Sequence, residues 1–129
     1  GLLSVVKEGD AKRLVMSINV VNFDRTPNKA IASVDIEEKE QVEFNQDVIY
    51  LRIEGDFMPK RDIATFYYSL DNKEWKKIGT DFKMRFDYTR LFMGSKFAIF
   101  NYATKSLGGY VDVDYFDYER ANDRVTINK

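Results

Sequence analysis

Residues 106–118, SLGGYVDVDYFDY, hold the acids that most invite a chemical reading. Asp112, Asp114 and Asp117 stand among Tyr110, Tyr115, Phe116 and Tyr118, directly after Gly108-Gly109. Carboxylates beside aromatic rings are the material of a sugar-cleaving site, and also of a half-buried strand. In a strand, Asp112 and Asp114 share one face with Tyr110, Phe116 and Tyr118, about 6.5–7 Å apart by strand rise. That separation suits a glycosidase pair, but such a pair must flank the scissile bond, and adjacent acids on one strand lie side by side. Hard oxygen ligands make Asp112 and Asp114 a candidate calcium site, although the Asp-x-Asp-x-Asp-Gly loop of an EF-hand is absent. The competing reading is a strand whose acids are solvated or paired with Lys or Arg on a neighbour.

Other residues suggest binding rather than catalysis. In VIYLRIE (48–54), Ile49, Leu51 and Ile53 alternate with Tyr50, Arg52 and Glu54, so one face is apolar and the other polar and aromatic. Tyr67 joins that polar face if the next strand pairs with it, as do Asn101 or Tyr102 if sheet order allows; the competing reading is a solvated face laced with ion pairs. The lone Trp75 follows a tight turn, SLDNKEW, and can stack on a sugar or pack over its own hairpin. Ile78 is its expected core neighbour.

The elements that must position these residues are strands. LLSVVK (2–7) and RLVMSINV (13–20) flank a Gly-Asp turn, and Leu14, Met16, Ile18 and Val20 fall on one face. DRTPNK (24–29) is a loop. A strand is expected over 30–37 with Ala30, Ala32, Val34 and Ile36 on one side. ATFYYSLDNKEWKKIG (64–79) reads as a hairpin turning at Asp71-Asn72. Residues 80–94 form a long connection, strands resume at 95–103 and 109–119, and the last ten residues are polar and frayed. About eight short strands and no helix predict an all-β sandwich of antiparallel sheets.

Composition narrows the chemistry. The 129 residues suffice for one domain, with 1–119 as its core and 120–129 as a polar tail. With no Cys and no His, thiolate catalysis, Cys/His zinc sites and Ser-His-Asp triads are excluded within this chain. A net charge of -1 gives no electrostatic reason to expect nucleic acid or an anionic membrane as partner. The basic clusters at 73–77 and 83–90 alternate with acids and read as solvated surface. No apolar run approaches the roughly 20 residues of a membrane span, and no signal peptide is visible.

Three ordered blocks carry a resemblance: FYYSLDNKEWKKIG, FMGSKFAIFNYAT and GGYVDVDYFDY. With the upstream GLLSVVKEGDAKRLVM and VIYLRIEGD, the chain over about residues 1–119 resembles the C-terminal concanavalin A-like β-sandwich (jelly-roll) domain of family 43 glycoside hydrolases, mostly β-xylosidases and α-L-arabinofuranosidases. The chain opens at what corresponds to the middle of that domain, so the resemblance implies a sandwich lacking its first strands, with edges open to pairing. Segment 22–47 carries no matching motif. The family's catalytic acids lie in a separate five-bladed propeller, so the resemblance implies a non-catalytic accessory domain of a plant-polysaccharide-degrading hydrolase on the xylan and arabinan side. It would pack on the propeller and shape the active-site mouth, with Phe92 matching the residue that some members send toward that mouth. The alternative for Phe92 is a core aromatic beginning a strand.

The expected partners are that propeller and an oligosaccharide or polysaccharide; no cofactor is expected beyond calcium. The candidate carbohydrate-binding residues are Tyr50, Arg52, Tyr67, Trp75 and Phe92. A bacterial periplasmic or extracellular location is expected over a cytoplasmic one. The alternative of a different class is a freestanding carbohydrate-binding module or lectin. A complete enzyme would need an acid pair across a cleft, and Asp112/Asp114 is a poor one.

Overall fold

The computed structural model describes residues 1–26, 30–58, 60–84 and 95–120. Among these lie seven strands and no helix: β1 (Leu2–Glu8), β2 (Ala11–Phe23), β3 (Ile31–Phe44), β4 (Tyr50–Asp56), β5 (Ile63–Ser69), β6 (Lys76–Lys77) and β7 (Phe82–Lys83). Every pairing is antiparallel. The chain forms two compact units, Gly1–Ser95 and Lys96–Lys129.

The first sheet has the order β1-β2-β3. Glu8 pairs with Ala11, leaving Gly9 and Asp10 as a two-residue loop. Gly9 has φ 62°, the positive value that glycine supplies at the first position of a tight hairpin turn. At the far end of β2, Asp24 Oδ1 accepts the Thr26 N–H at 3.1 Å and the Thr26 hydroxyl at 2.6 Å, which begins the loop to β3.

β3 is longer than the expected 30–37 strand. The charged run 37–43 continues it, because Lys and Arg on β2 and within β3 accompany its acids: Arg13 donates to Gln41 at 2.8 Å and lies 3.7 Å from Glu38, and Lys39 pairs with Glu37. A bulge between Met16 and Ser17 then changes the faces. Val42 and Phe44 oppose Leu14 and Lys12, but past the bulge Glu37 and Asp35 oppose Ile18 and Val20. Val34 and Ile36 therefore turn to the face of Val21 and Asn19, and both are exposed. Their alternation predicts the strand and its shared face correctly, and the extra residue of the bulge turns that face away from the core.

In the second sheet β5 is central. It pairs with β4 on one side, from Tyr50↔Ser69 to Asp56↔Ile63, and with β6 and β7 on the other. Alternation places Ala64, Phe66 and Tyr68 inward, and all three are buried. They meet Leu14 and Met16 of β2 and Phe44 of β3, and Ile78 completes the cluster. This two-layer core is what makes the unit a sandwich. Each fully buried Leu, Met, Phe or Ile contributes about 1.5–3 kcal/mol. Leu51 and Ile53 also lie on the inward face of β4, yet remain 42% and 39% exposed, because β4 is an edge strand among the described residues.

Gly79 brings the two layers into close contact. It has φ 70°, and a Cβ there would lie 2.7 Å from the Met16 sulfur. Its N–H donates to Glu40 Oε2 of β3 at 2.7 Å, and the preceding Ile78 N–H donates to the Phe66 carbonyl at 3.0 Å. One turn thus hydrogen-bonds to both sheets.

The strands expected at 95–103 and 109–119 are not formed: no ladder runs through the described residues 95–120. This unit carries ring contacts instead, Phe97 with Tyr118 at 6.1 Å and Phe100 stacked on Tyr102 at 5.9 Å. Alternation satisfies the side-chain requirement of a strand, but a strand also needs a second backbone to pair with. The polar tail from 121 onward lies outside the described residues.

Replacing Gly79 with Ala combines an unfavourable positive φ with overpacking against Met16, and the expected loss is about 2–4 kcal/mol in urea unfolding. Phe66→Ala, which empties the centre of the core, is expected to cost about 3–5 kcal/mol by the same measurement.

Candidate functional site

The outward face of the second sheet gathers the polar and aromatic residues. The β4–β5 register sets Arg52 directly opposite Tyr67, Tyr50 opposite Ser69, and Glu54 opposite Thr65. Tyr67 pairs in turn with Lys77 of β6. The hairpin between β5 and β6 brings Trp75 back over the same face. The Arg52 guanidinium carbon lies 4.8 Å from the centroid of the Tyr67 ring and 4.4 Å from that of Trp75. The cation is attracted to the negative face of each ring.

The turn that delivers Trp75 is built on Asp71. Its Oδ1 accepts the Lys73 N–H at 2.9 Å, the Glu74 N–H at 2.9 Å and the Ser69 hydroxyl at 3.0 Å. Asn72 takes φ 59°, which Asn tolerates better than most residues. The Glu74 and Lys73 N–H groups and the Ser69 hydroxyl hold the Asp71 carboxyl below its usual pKa, since each favours the charged form.

A second polar chain closes the other end of the face. Lys77 Nζ donates to Asp81 Oδ1 at 2.6 Å, and the Thr65 hydroxyl donates to the same oxygen at 3.1 Å. Lys77 and Thr65 lower the Asp81 pKa, and Asp81 raises that of Lys77. Sequence patterns do not reveal this chain, because a four-residue spacing brings side chains together on a helix and carries no such message across a strand and turn.

Glu54 approaches Arg52 Nε to 3.3 Å, but the geometry is not that of a hydrogen bond. Nε is buried, and among the described residues it is the side-chain polar atom left without a hydrogen-bond partner. A planar cation held between two rings, with an acid beside it, can orient a ligand; it offers no nucleophile.

Of the candidate residues, Arg52, Tyr67 and Trp75 stand in mutual contact, with Tyr50 two positions along the same strand face. Phe92 lies outside the described residues. Asp112 and Asp114 belong to the second unit, where both are exposed, as do Asn101 and Tyr102. Among the described residues no group of three or more His, Cys, Asp or Glu is placed to hold a metal ion. No helix among them is long and apolar enough to cross a membrane. A small hollow lined by Val6, Glu8, Lys12, Arg13 and Glu43 lies on the other sheet, away from the aromatic residues.

Antiparallel sheets around a shared two-layer core make the first unit a β-sandwich. Over residues 3–119 the chain matches the β-xylosidase C-terminal concanavalin A-like domain, and it belongs to that family of glycoside hydrolase family 43 domains. Such a domain implies a catalytic partner domain in the parent protein. Comparison with curated proteins and with solved structures gave no match.

Two outcomes follow from this geometry. A double-mutant cycle of Arg52→Ala and Trp75→Leu, read by urea unfolding, is expected to give a coupling of about 0.5–1 kcal/mol. A carboxyl with a depressed folded pKa contributes stability fully present above its unfolded pKa of about 4 and lost as pH falls through the folded value. Asp71→Asn, which keeps an acceptor oxygen, is therefore expected to flatten the fall in thermal stability between about pH 4 and the onset of acid unfolding.

Proposed function

We propose that this chain is a non-catalytic accessory domain of a hydrolase acting on xylan or arabinan, and that it packs on a catalytic β-propeller and shapes the mouth of its active site. The observation that carries this reading is the family match across residues 3–119, in a family described by its place in β-xylosidases. The constitution of the chain supports it: glycoside hydrolysis most often uses a carboxylate pair, and the chain's best sequence candidate is Asp112 and Asp114. Asp112 and Asp114 are exposed side chains of the small second unit, and the aromatic face of the first unit presents a paired cation.

In this reading, binding to the propeller is driven by apolar burial, for which the exposed edge residues Leu51 and Ile53 and the nearby Met58 are available. The resemblance gives Phe92 the role of limiting the site to short chain ends. Tyr50 and Arg52 supply sugar contacts, and Tyr67 and Trp75 position the Arg52 guanidinium.

The test is co-expression with a family 43 propeller. The expected result is a stable complex that turns over xylo-oligosaccharides faster than the propeller alone, with Phe92→Ala raising KM by about tenfold or less, the scale of a single apolar contact. A propeller equally active and equally stable without this chain would overturn the reading.

A further inference from the structure

Arg52 is ion-paired with Glu54 yet donates no hydrogen bond among the described residues. Its guanidinium carbon lies over the rings of both Tyr67 and Trp75. Nε is buried, while the side chain as a whole keeps 41% of its surface exposed. The other cation of the face, Lys77, is committed to Asp81.

This arrangement bears on what can bind. The ring surfaces that meet Arg52 are occupied by it and do not stack on a sugar. What the face offers instead is the edge of a planar, preorganised fork of N–H donors. The group that matches such a fork is a carboxylate, which accepts two parallel hydrogen bonds and supplies the opposite charge. Neutral hydroxyls accept singly and gain less. Glu54 shows that an acid is tolerated beside the cation, yet it is not aligned to use the fork.

We propose that the outward face of the second sheet binds an acidic sugar, a uronic acid residue, through its carboxylate on Arg52. Tyr50, about 7 Å along the strand on the same face, contacts the sugar hydroxyls. This rests on the reading of that face as sugar-facing, and it adds the class of sugar.

The probes are methyl β-D-glucuronide and methyl β-D-glucoside, which differ by the carboxylate, titrated into the full 129-residue chain and followed by NMR at the Arg52 Nε–H and backbone amides. The expected result is glucuronide binding at least about tenfold tighter than glucoside, a gap that one charge-assisted pair supplies. Arg52→Lys, which keeps the charge and loses the fork, is expected to remove the preference. Glu54→Gln, an exposed and nearly isosteric change, is expected to tighten glucuronide binding severalfold by removing the competing acid. A purely structural Arg52–Glu54 pair predicts no such gain. Equal affinity for the two glycosides, unchanged or weaker binding in Glu54→Gln, or no shift at Arg52 with either probe would each overturn the uronate assignment. None of these bears on the accessory role, which the propeller complex decides separately.

Discussion

Between the Met16 side chain and the Cα of Gly79 there is no room for a methyl group. The contact sets the distance between the two sheets at one point, and the hydrogen bonds around it fix their lateral position. Glu40 of the first sheet accepts the Gly79 N–H, while the Phe66 carbonyl of the second accepts the Ile78 N–H. Ile78 is fully buried beside them. A side chain at residue 79 would part the layers where Leu14, Met16, Phe66 and Ile78 meet, and interiors packed to crystal-like density do not absorb such a shift cheaply.

The outward face depends on the same contact. Trp75 lies three residues before Ile78, so burying Ile78 anchors the strand that carries Trp75. Asp71 shapes the turn at the other end. Pinned from both sides, the hairpin closes its indole ring over Arg52, and the β4–β5 register supplies Tyr67 beneath. The core and the candidate site are therefore two faces of one hairpin, and the alternation of β5 divides its residues between them.

What the sequence reveals follows from what a residue pattern encodes. Alternation at 49–54 and 64–69 assigns both faces of β4 and β5, because a regular pleat makes side-chain direction a matter of parity. The Gly9-Asp10 and Asp71-Asn72 turns are legible because positive φ and side-chain capping demand those residue types. The bulge opposite Met16 has no comparable signature, so the faces of Val34 and Ile36 are inverted and the charged half of β3 is hidden. At 95–103 and 109–119 the pattern specifies a two-faced segment without naming the neighbour that would make it a strand. The candidate site is legible as a face and not as a contact: parity places Tyr50, Arg52 and Tyr67 together, whereas the closure of Trp75 onto Arg52 depends on the path of the hairpin.

Aromatic content alone is a poor measure of sugar-stacking capacity, and this face shows why. Tyr67 and Trp75 invite a stacking role in the sequence, but a cation competes for the same ring surfaces and is covalently present at high effective concentration. Once Arg52 occupies them, the rings orient a charge instead of a sugar. The near-zero net charge hides this, since Arg52 beside Glu54 and Lys77 beside Asp81 cancel in the sum while differing in commitment. Lys77 donates a hydrogen bond to Asp81, whereas the Arg52–Glu54 pair is made without one. Local hydrogen-bond bookkeeping, rather than composition or total charge, is what separates a solvated ion pair from a group poised to receive a ligand.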